Sequence, residues 1–486
     1  MSIKIAFGTD GWRGIIADDF IFENVRLVTR AVADYIIDKG LKERGVVIGY
    51  DNRFLSDRFA EEVAEEMLKK GIRVFIIKKP APTPVTAFAI KMQNAAGAVM
   101  LTASHNPPEY NGYKFIPEHA GPALPHVTKQ IEENIKRHQG VYNLGITEEA
   151  EGRYGHLIEK EHQPDFCVQC YEIDPVGQYM EHLAEIIDLE VIGKSGMKIV
   201  VDPMYGAGIG YLDTILQRAG AQVETINNHR DPLFGGGMPE PTGHSLGKLQ
   251  QLLKDTGAHL GLALDGDADR FGIIDSNGQY ITPNQFLPML YYHMMEVKGI
   301  RGKAARTVAT THLLDRIAGH YGQQVEETPV GFKYIGQCLH EKGAIMGGEE
   351  SGGLSIIGHI PEKDGILAGL LAAEMMAYHK KSLTRLMQEV ADKFGQLYSR
   401  RLDIHTTPED KIRVLQQLKT LEPERVAGQQ VVGRITIDGT KLLLADGSWV
   451  LIRPSGTEPL FRIYAEAQSI ERVEEIQQEL KETLGL

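Results

Sequence analysis

Three cysteines are all that the 486 residues contain, at positions 167, 170 and 338. So small and odd a set argues against the disulfide framework of a secreted scaffold. Cys167 and Cys170 form a single C-x-x-C with no second pair, and read as two unligated thiols rather than a zinc or redox site. Long apolar runs are lacking as well. The start reaches the polar Gly8-Thr9-Asp10-Gly11 before a signal-peptide core could form, and the most apolar later stretch, 366–376, is interrupted by Glu374 and too short for a bilayer. A soluble cytoplasmic chain without a membrane partner is expected. Positive charge is also short: 52 basic residues face 65 acidic ones, for a net charge of −13. No extended basic surface can then follow a nucleic-acid backbone, and any anionic ligand must be gripped by local basic residues.

What is present is bulk and rhythm. With 42% hydrophobic residues, the chain can fill several cores and is too long for one compact domain. An order of strand, helix, strand, helix, strand recurs three times. The first pass has strands at 46–50, 73–77 and 95–101, with a helix over 56–70 that aligns Phe59, Val63 and Met67; Ser56 suits its N-cap and Gly71 its stop. The second has strands at 198–201, 222–226 and 259–264, and the third at 307–310, 324–327 and 344–346. Each third strand opens into a polar cluster: Thr102-Ala103-Ser104-His105, Asp265-Gly266-Asp267-Ala268-Asp269-Arg270, and Gly347-Gly348-Glu349-Glu350-Ser351-Gly352-Gly353. Open α/β sheets bind ligands at the carboxyl ends of their strands, so three such loops can share one cleft. The last hundred residues differ, with strands near 431–437, 441–444 and 461–464 and a closing helix striped by Ile470, Val473, Ile476 and Leu480. The expected architecture is three consecutive mixed α/β-sheet domains of similar topology, 1–165, 166–280 and 281–392, and a C-terminal α+β domain, 393–486, around a central cleft.

Asp265, Asp267 and Asp269 alternate at i, i+2 and i+4, so one loop can aim three carboxylates at a hard divalent cation. An EF-hand is disfavoured, because Arg270 stands where that loop needs glycine and Ser276 where it needs glutamate. With three protein ligands the ion keeps open positions for a phosphate oxygen, and magnesium is the natural choice. Ser104 sits exposed to chemistry at a strand end, before the turn-forming Asn106-Pro107-Pro108, although a serine beside a histidine carries little signal alone. Lys114 could exchange protons if burial or neighbouring cations lower its pKa; alone it reads more often as a surface charge, and its place beyond the Ser104 loop brings the two readings level. Arg453, Ser455, Gly456 and Thr457 offer a guanidinium, two hydroxyls and flexible amides, to which Arg462 adds a second cation, as a phosphate dianion requires. Arg13, between glycines near the start, has the same logic. Glu349 and Ser351, among four glycines, suit sugar hydroxyls.

Taken in chain order, FGTDGWRG at 7–14, TASHNP at 102–107 with NGYK at 111–114, DGDADR at 265–270, GEESGG at 348–353 and RPSGTEP at 453–459 resemble the motifs of the α-D-phosphohexomutase family. The resemblance implies a serine phosphorylated in the resting enzyme, Ser104, and a magnesium held by Asp265, Asp267, Asp269 and a phosphoserine oxygen. Arg13, His105 and Lys114 would flank the reaction centre. Thr9, Arg270, Gly331, Glu349, Ser351, Arg453, Ser455, Gly456, Thr457 and Arg462 would bind the hexose phosphate. The implied reaction moves phosphate between positions 1 and 6 of a hexose through a hexose 1,6-bisphosphate, which also serves as activator, in a monomer or homodimer. Mannose-acting and dual-specificity members carry a histidine where this chain has Gly353. GFKYIG at 331–336 and HIPEKDG at 359–365 look instead like the glucose-acting branch, in which the lysine matching Lys363 contacts the substrate and carries protons together with His105. Glucose phosphate is therefore the first expectation, mannose phosphate or dual specificity the second, and glucosamine phosphate the third. A sugar-phosphate sensor without turnover and a phosphatase using the same serine are the rival classes.

Overall fold

A computed structural model of the chain describes residues 5–8, 10–143, 169–455 and 460–486, without the side chains of 140–143. Thr9, Cys167, Gly456 and Thr457 lie outside the described residues.

The apolar strands Val46–Tyr50, Gly97–Leu101 and Leu260–Leu264 are buried along nearly their whole length, which explains why they read as continuous hydrophobic runs. In the first sheet the spatial order is Trp12–Ile15, Tyr110–Pro117, Gly97–Leu101, Val46–Tyr50, Val74–Ile77, Cys170–Ile173. The second runs Tyr280–Ile281, Phe271–Asp275, Leu260–Leu264, Lys198–Asp202, Gln222–Thr225. The third runs Val325–Thr328, Ala304–Thr307, Met346–Gly348, Leu354–Ile356. All three share one core: the pass's first strand lies between its second and third, all parallel, and the chain after the third turns back as an antiparallel neighbour. The three polar clusters are therefore the connections of three equivalent hairpins, at 102–109, 265–270 and 349–353. The first sheet takes its last strand, Cys170–Ile173, from beyond the expected boundary at 165.

The fourth sheet is wholly antiparallel, in the order Tyr398–His405, Leu460–Ala467, Trp449–Pro454, Thr440–Leu444, Gln429–Ile435, Arg425–Val426. Helices Pro408–Thr420 and Ile470–Leu484 accompany it, and Val414, Leu418, Val473, Ile476 and Leu480 join its core.

The apolar stretch over 366–376 belongs to helix Gly365–His379, buried on every face except near its end, as a helix hydrophobic all round must be. Its one charged interior residue, Glu374, accepts from Lys298 Nζ at 2.7 Å and from the Asp188 amide at 2.8 Å. Among the described residues no helix is long and apolar enough to cross a membrane.

Two local expectations are corrected. The strand expected at 307–310 is Ala304–Thr307 and ends there, because the Thr307 and Thr310 hydroxyls turn to each other, 2.9 Å apart, and to the Glu350 carboxylate. Ser56 does not cap its helix. Leu55, at φ 60°, occupies that position, and the Ser56 hydroxyl donates instead to Asp51 at 2.9 Å.

Candidate active site

The hairpin loop after Gly97–Leu101 turns sharply enough to put Ser104 at φ 52°, left-handed for a residue with a side chain. Its amide donates to Thr102 Oγ1 at 2.8 Å. Its hydroxyl, almost fully buried, donates to Asp265 Oδ2 at 2.8 Å and lies 3.2 Å from His105 Nδ1. The first and second hairpins thus meet at the Ser104 oxygen. Gly266 permits the approach, since a Cβ there would stand 2.4 Å from the Ser104 carbonyl oxygen.

The three aspartates are buried, and one oxygen from each can be chosen so that all lie within 4.8 Å of one another. Asp265 Oδ1 accepts the Arg270 amide at 3.0 Å. Asp267 Oδ2 accepts from Thr83 Oγ1 at 2.6 Å and from Lys114 Nζ at 2.9 Å. Asp269 Oδ2 accepts from Lys114 at 3.0 Å. The other oxygens, Asp267 Oδ1 and Asp269 Oδ1, are buried with no hydrogen-bond partner. Buried orphan carboxylate oxygens are costly and all of one hard type, so this donor set fits a divalent cation. Burial together with Asp267 and Asp269 pushes the Asp265 carboxyl well up. Burial also acts to raise Asp267, but Lys114 and Thr83 outweigh it and hold that carboxyl below its usual range.

Lys114 departs from expectation. Burial acts to lower its pKa, yet Asp10, Asp267 and Asp269 surround the ammonium at 2.9 to 3.0 Å and raise it instead. It is a fixed cation. Lys363 behaves alike: its Nζ lies 3.2 Å from Asp10, 3.3 Å from Asp269 and 2.9 Å from Glu362 Oε1, and these carboxylates push it well up against burial. One lysine from the first domain and one from the third therefore converge on an aspartate of the second. His105 is the contrasting case. Burial, then Arg270 and Arg13, push the imidazole well down, so the ring is neutral. Arg13 Nη1 donates to Asn106 Oδ1, beside the serine.

In the third loop Glu349 is buried while Ser351 is exposed. Burial and the neighbouring Glu350 push the Glu349 carboxyl up to about 7. Its Oε1 accepts from the Gly331 amide at 2.9 Å, and the adjacent Val330 amide donates to Asp438 Oδ2 of the C-terminal domain at 3.0 Å. The same Asp438 oxygen accepts from Arg453 Nε at 2.8 Å. Arg453 and Arg462 stand opposite each other on neighbouring strands, and Arg462 Nε is buried without a partner. Two guanidinium groups side by side, one unsatisfied, suit an anion. The Ser455 amide donates to Leu460 O at 2.9 Å.

Asp10, Thr83 and Glu362 are site residues that sequence reasoning passed over. Asp10 had a signal, an acid between glycines inside FGTDGWRG, and Glu362 stands next to Lys363. Thr83 lies at a helix start in the first domain with nothing to point to Asp267.

The described site can be set against known proteins. Models for phosphoglucomutase/phosphomannomutase domains match four stretches: alpha/beta/alpha domain I over 4–141, domain II over 177–278, domain III over 282–394 and the C-terminal domain over 408–483. A phosphoglucomutase/phosphomannomutase of Thermococcus kodakarensis is 32% identical over 469 residues, covering 96% of each chain. A phosphoglucomutase of Komagataeibacter xylinus is 30% identical over 527 residues, covering 99% of this chain and 91% of that one. Phosphoglucosamine mutases match as well, one from Carboxydothermus hydrogenoformans at 30% identity. The crystal structure of a Thermus thermophilus protein named as a phosphomannomutase covers 100% of both chains with a TM-score of 0.83 and 35% identity. Four family domains in order, along a chain whose loops converge as described, place it in one group: it belongs to the α-D-phosphohexomutase (phosphoglucomutase/phosphomannomutase) family, enzymes that transfer phosphate intramolecularly.

Proposed function

We propose that the enzyme interconverts glucose 1-phosphate and glucose 6-phosphate, with Ser104 carrying the phosphoryl group and magnesium held by Asp265, Asp267 and Asp269. The observation that carries the serine's role is its buried hydroxyl, 2.8 Å from Asp265 and 3.2 Å from the neutral His105 ring. When bound, the ion would draw negative charge from the phosphoserine oxygens, which lowers the barrier to transfer. The residues themselves supply positioning and proton traffic. As the sugar hydroxyl forms its bond to phosphorus, the bond from phosphorus to the Ser104 oxygen breaks, and that oxygen takes a proton from His105 Nδ1 while the part-exposed ring takes one up from water at its other nitrogen. The hydroxyl's proton can pass through Lys363 to Glu362 Oε1, 2.9 Å from the ammonium, whose carboxyl burial pushes up to about 7. A lysine with a raised pKa can thus relay without ever resting neutral. The bisphosphate then turns over, with Arg453, Ser455, Thr457 and Arg462 holding the phosphate that is not reacting, Glu349 and Ser351 reading sugar hydroxyls and Arg270 facing the transferring phosphate.

Gly353 supports glucose over the sugars handled with a histidine. A Cβ at Gly353 would stand 2.9 Å from Lys363 Cδ, 3.1 Å from its Cγ and 3.0 Å from Phe332 Cδ2. The lysine stem occupies the space a side chain there would need.

The test is intact-mass spectrometry after incubation with glucose 1,6-bisphosphate. One phosphoryl group mapped to Ser104, absent from Ser104→Ala, is expected; phosphoserine elsewhere would overturn the assignment. Comparing glucose, mannose and glucosamine 1-phosphates with a trace of each bisphosphate ranks the sugars. Free phosphate in step with turnover would favour the phosphatase reading, and no turnover the sensor.

A further inference from the structure

Arg53 is among the largest fully buried side chains of the protein, yet it touches neither the triad nor the lysines directly. It follows strand Val46–Tyr50, which pairs with Gly97–Leu101, so residues 51–53 and 102–104 leave the sheet side by side, joined by the Asp51 amide donating to Leu101 O at 3.0 Å. Its guanidinium is spent on one loop. Nη2 donates to Ser104 O at 2.7 Å and Asn106 O at 2.6 Å; Nη1 donates to Pro107 O at 2.7 Å and Tyr110 O at 3.0 Å. Nε lies 3.2 Å from Asp51 Oδ2.

Four carbonyl oxygens therefore converge on a single point. Leaving any of them buried and unmade would be costly, and the left-handed Ser104 adds backbone strain of its own. Only a planar fork with several donors can satisfy such a set; an ammonium has three donors around a point. The second domain completes the arrangement. Phe234 lies over the guanidinium at 4.8 Å, and Asn52 Nδ2 donates to Tyr205 O at 2.9 Å and Gly206 O at 2.8 Å. Gly206 in turn packs on the Asp265 and Gly266 carbonyls. The Ser104 carbonyl is thereby held between the Arg53 fork on one side and Gly266 on the other.

We infer that Arg53 is a positioning residue, whose buried guanidinium, held under Phe234 of the second domain, fixes the left-handed turn from which the Ser104 hydroxyl reaches Asp265. This rests on the role proposed for Ser104. It makes the fork responsible for the rate at which the serine gains and loses phosphate, and not for sugar affinity.

The experiment follows phosphoryl uptake from glucose 1,6-bisphosphate by quenched intact-mass spectrometry, with kcat, KM and thermal melting measured alongside, in Arg53→Lys and Phe234→Leu. Arg53→Lys is expected to slow uptake and kcat about 100-fold, the loss typical of a group displaced by about an ångström, with KM within about threefold. Phe234→Leu, which keeps the fork and loosens its cover, should show the same split with a smaller loss. Uptake at the wild-type rate in Arg53→Lys, or a kcat loss matched by the loss of folded protein, overturns the inference. If Arg53→Lys does not fold, Phe234→Leu decides: a slowed uptake with unchanged KM supports the inference, and unchanged uptake refutes it. If the wild type takes no phosphate on Ser104, the proposed function fails instead.

Discussion

Glu349 offers a stability prediction that needs no substrate. The carboxyl is 5% exposed, its Oε1 accepts from the Gly331 amide, and burial first and Glu350 second push it from 4.5 up to about 7, against the pull of Lys363 and Arg270. Below pH 4.5 the folded and unfolded chains both hold this proton, and the group contributes no pH dependence. Between 4.5 and about 7 the unfolded chain has released the proton while the folded chain keeps it, so each rise in pH favours unfolding. Above about 7 both have released it and the penalty is constant. The interval spans roughly 2.5 pH units, which at about 1.36 kcal/mol each amounts to about 3 kcal/mol of stability lost as pH rises. Glu349→Gln keeps the acceptor for Gly331 and removes the titration. Thermal melting of both proteins without sugar phosphate, from pH 5 to 8, should show the wild type losing stability relative to the variant up to about pH 7 and running parallel above it. Parallel curves throughout, or a wild type that gains on the variant as pH rises, would refute the argument.

Three further outcomes are expected. Asp267→Asn should weaken magnesium binding in calorimetry as well as turnover, because it removes one of the two orphan carboxylate oxygens; unchanged magnesium binding would sink the triad model. Lys363→Ala should lower kcat by roughly 100-fold or more, as loss of a general acid–base group does, and a wild-type rate would remove the lysine from the proton path. Gly353→Ala should lower kcat at least about tenfold by displacing the Lys363 stem, yet add nothing in a Lys363→Ala background; additive losses would show that the two positions act separately.

The three loops were legible in the sequence because each is a polar, glycine-rich cluster directly after an apolar run, and that contrast survives without any tertiary information. The antiparallel partners that make them hairpins were not. Leu354–Ile356 is three residues long, too short to show alternation, and Phe271–Asp275 is buried on both faces, so it has no period to read. In the C-terminal domain, Tyr398–His405 carries Arg400, Arg401 and Asp403 on a half-exposed edge and shows no apolar run. Trp449–Pro454 was hidden by the turn signal of its own last residue. The charge state of Lys114 was out of reach for a different reason. A lone lysine with unknown neighbours can shift either way, and its three partners come from residue 10 and from residues 267 and 269 of another domain. Arg53 had no signal at all, since its partners are backbone carbonyls, which every residue has.

The placement of Lys363 shows how the start of helix Gly365–His379 and the Asp265–Asp269 loop are coupled. Asp364 caps helix Gly365–His379 by accepting the Leu367 amide at 2.9 Å, so Lys363 directly precedes the cap of a helix buried except near its end. That helix docks on the second domain, not only on its own. The Gly365 amide donates to Ala268 O at 3.1 Å, inside the Asp265–Asp269 loop, and a Cβ at Gly365 would stand 2.3 Å from Arg270 O. Gly369 likewise meets Leu212, the first residue of helix Leu212–Ala219, and Leu262 of the second sheet. The distance from Lys363 Nζ to Asp269 is therefore set by backbone contact between the helix start and the aspartate loop, not by the flexibility of a lysine side chain. A substitution that moves the helix must disturb the triad, and one that reshapes the triad loop must move the lysine. Changing sugar preference in this scaffold should then be easier at Gly353, where an added Cβ would first meet the lysine stem and Phe332 rather than the aspartate loop, than at any residue of the helix start.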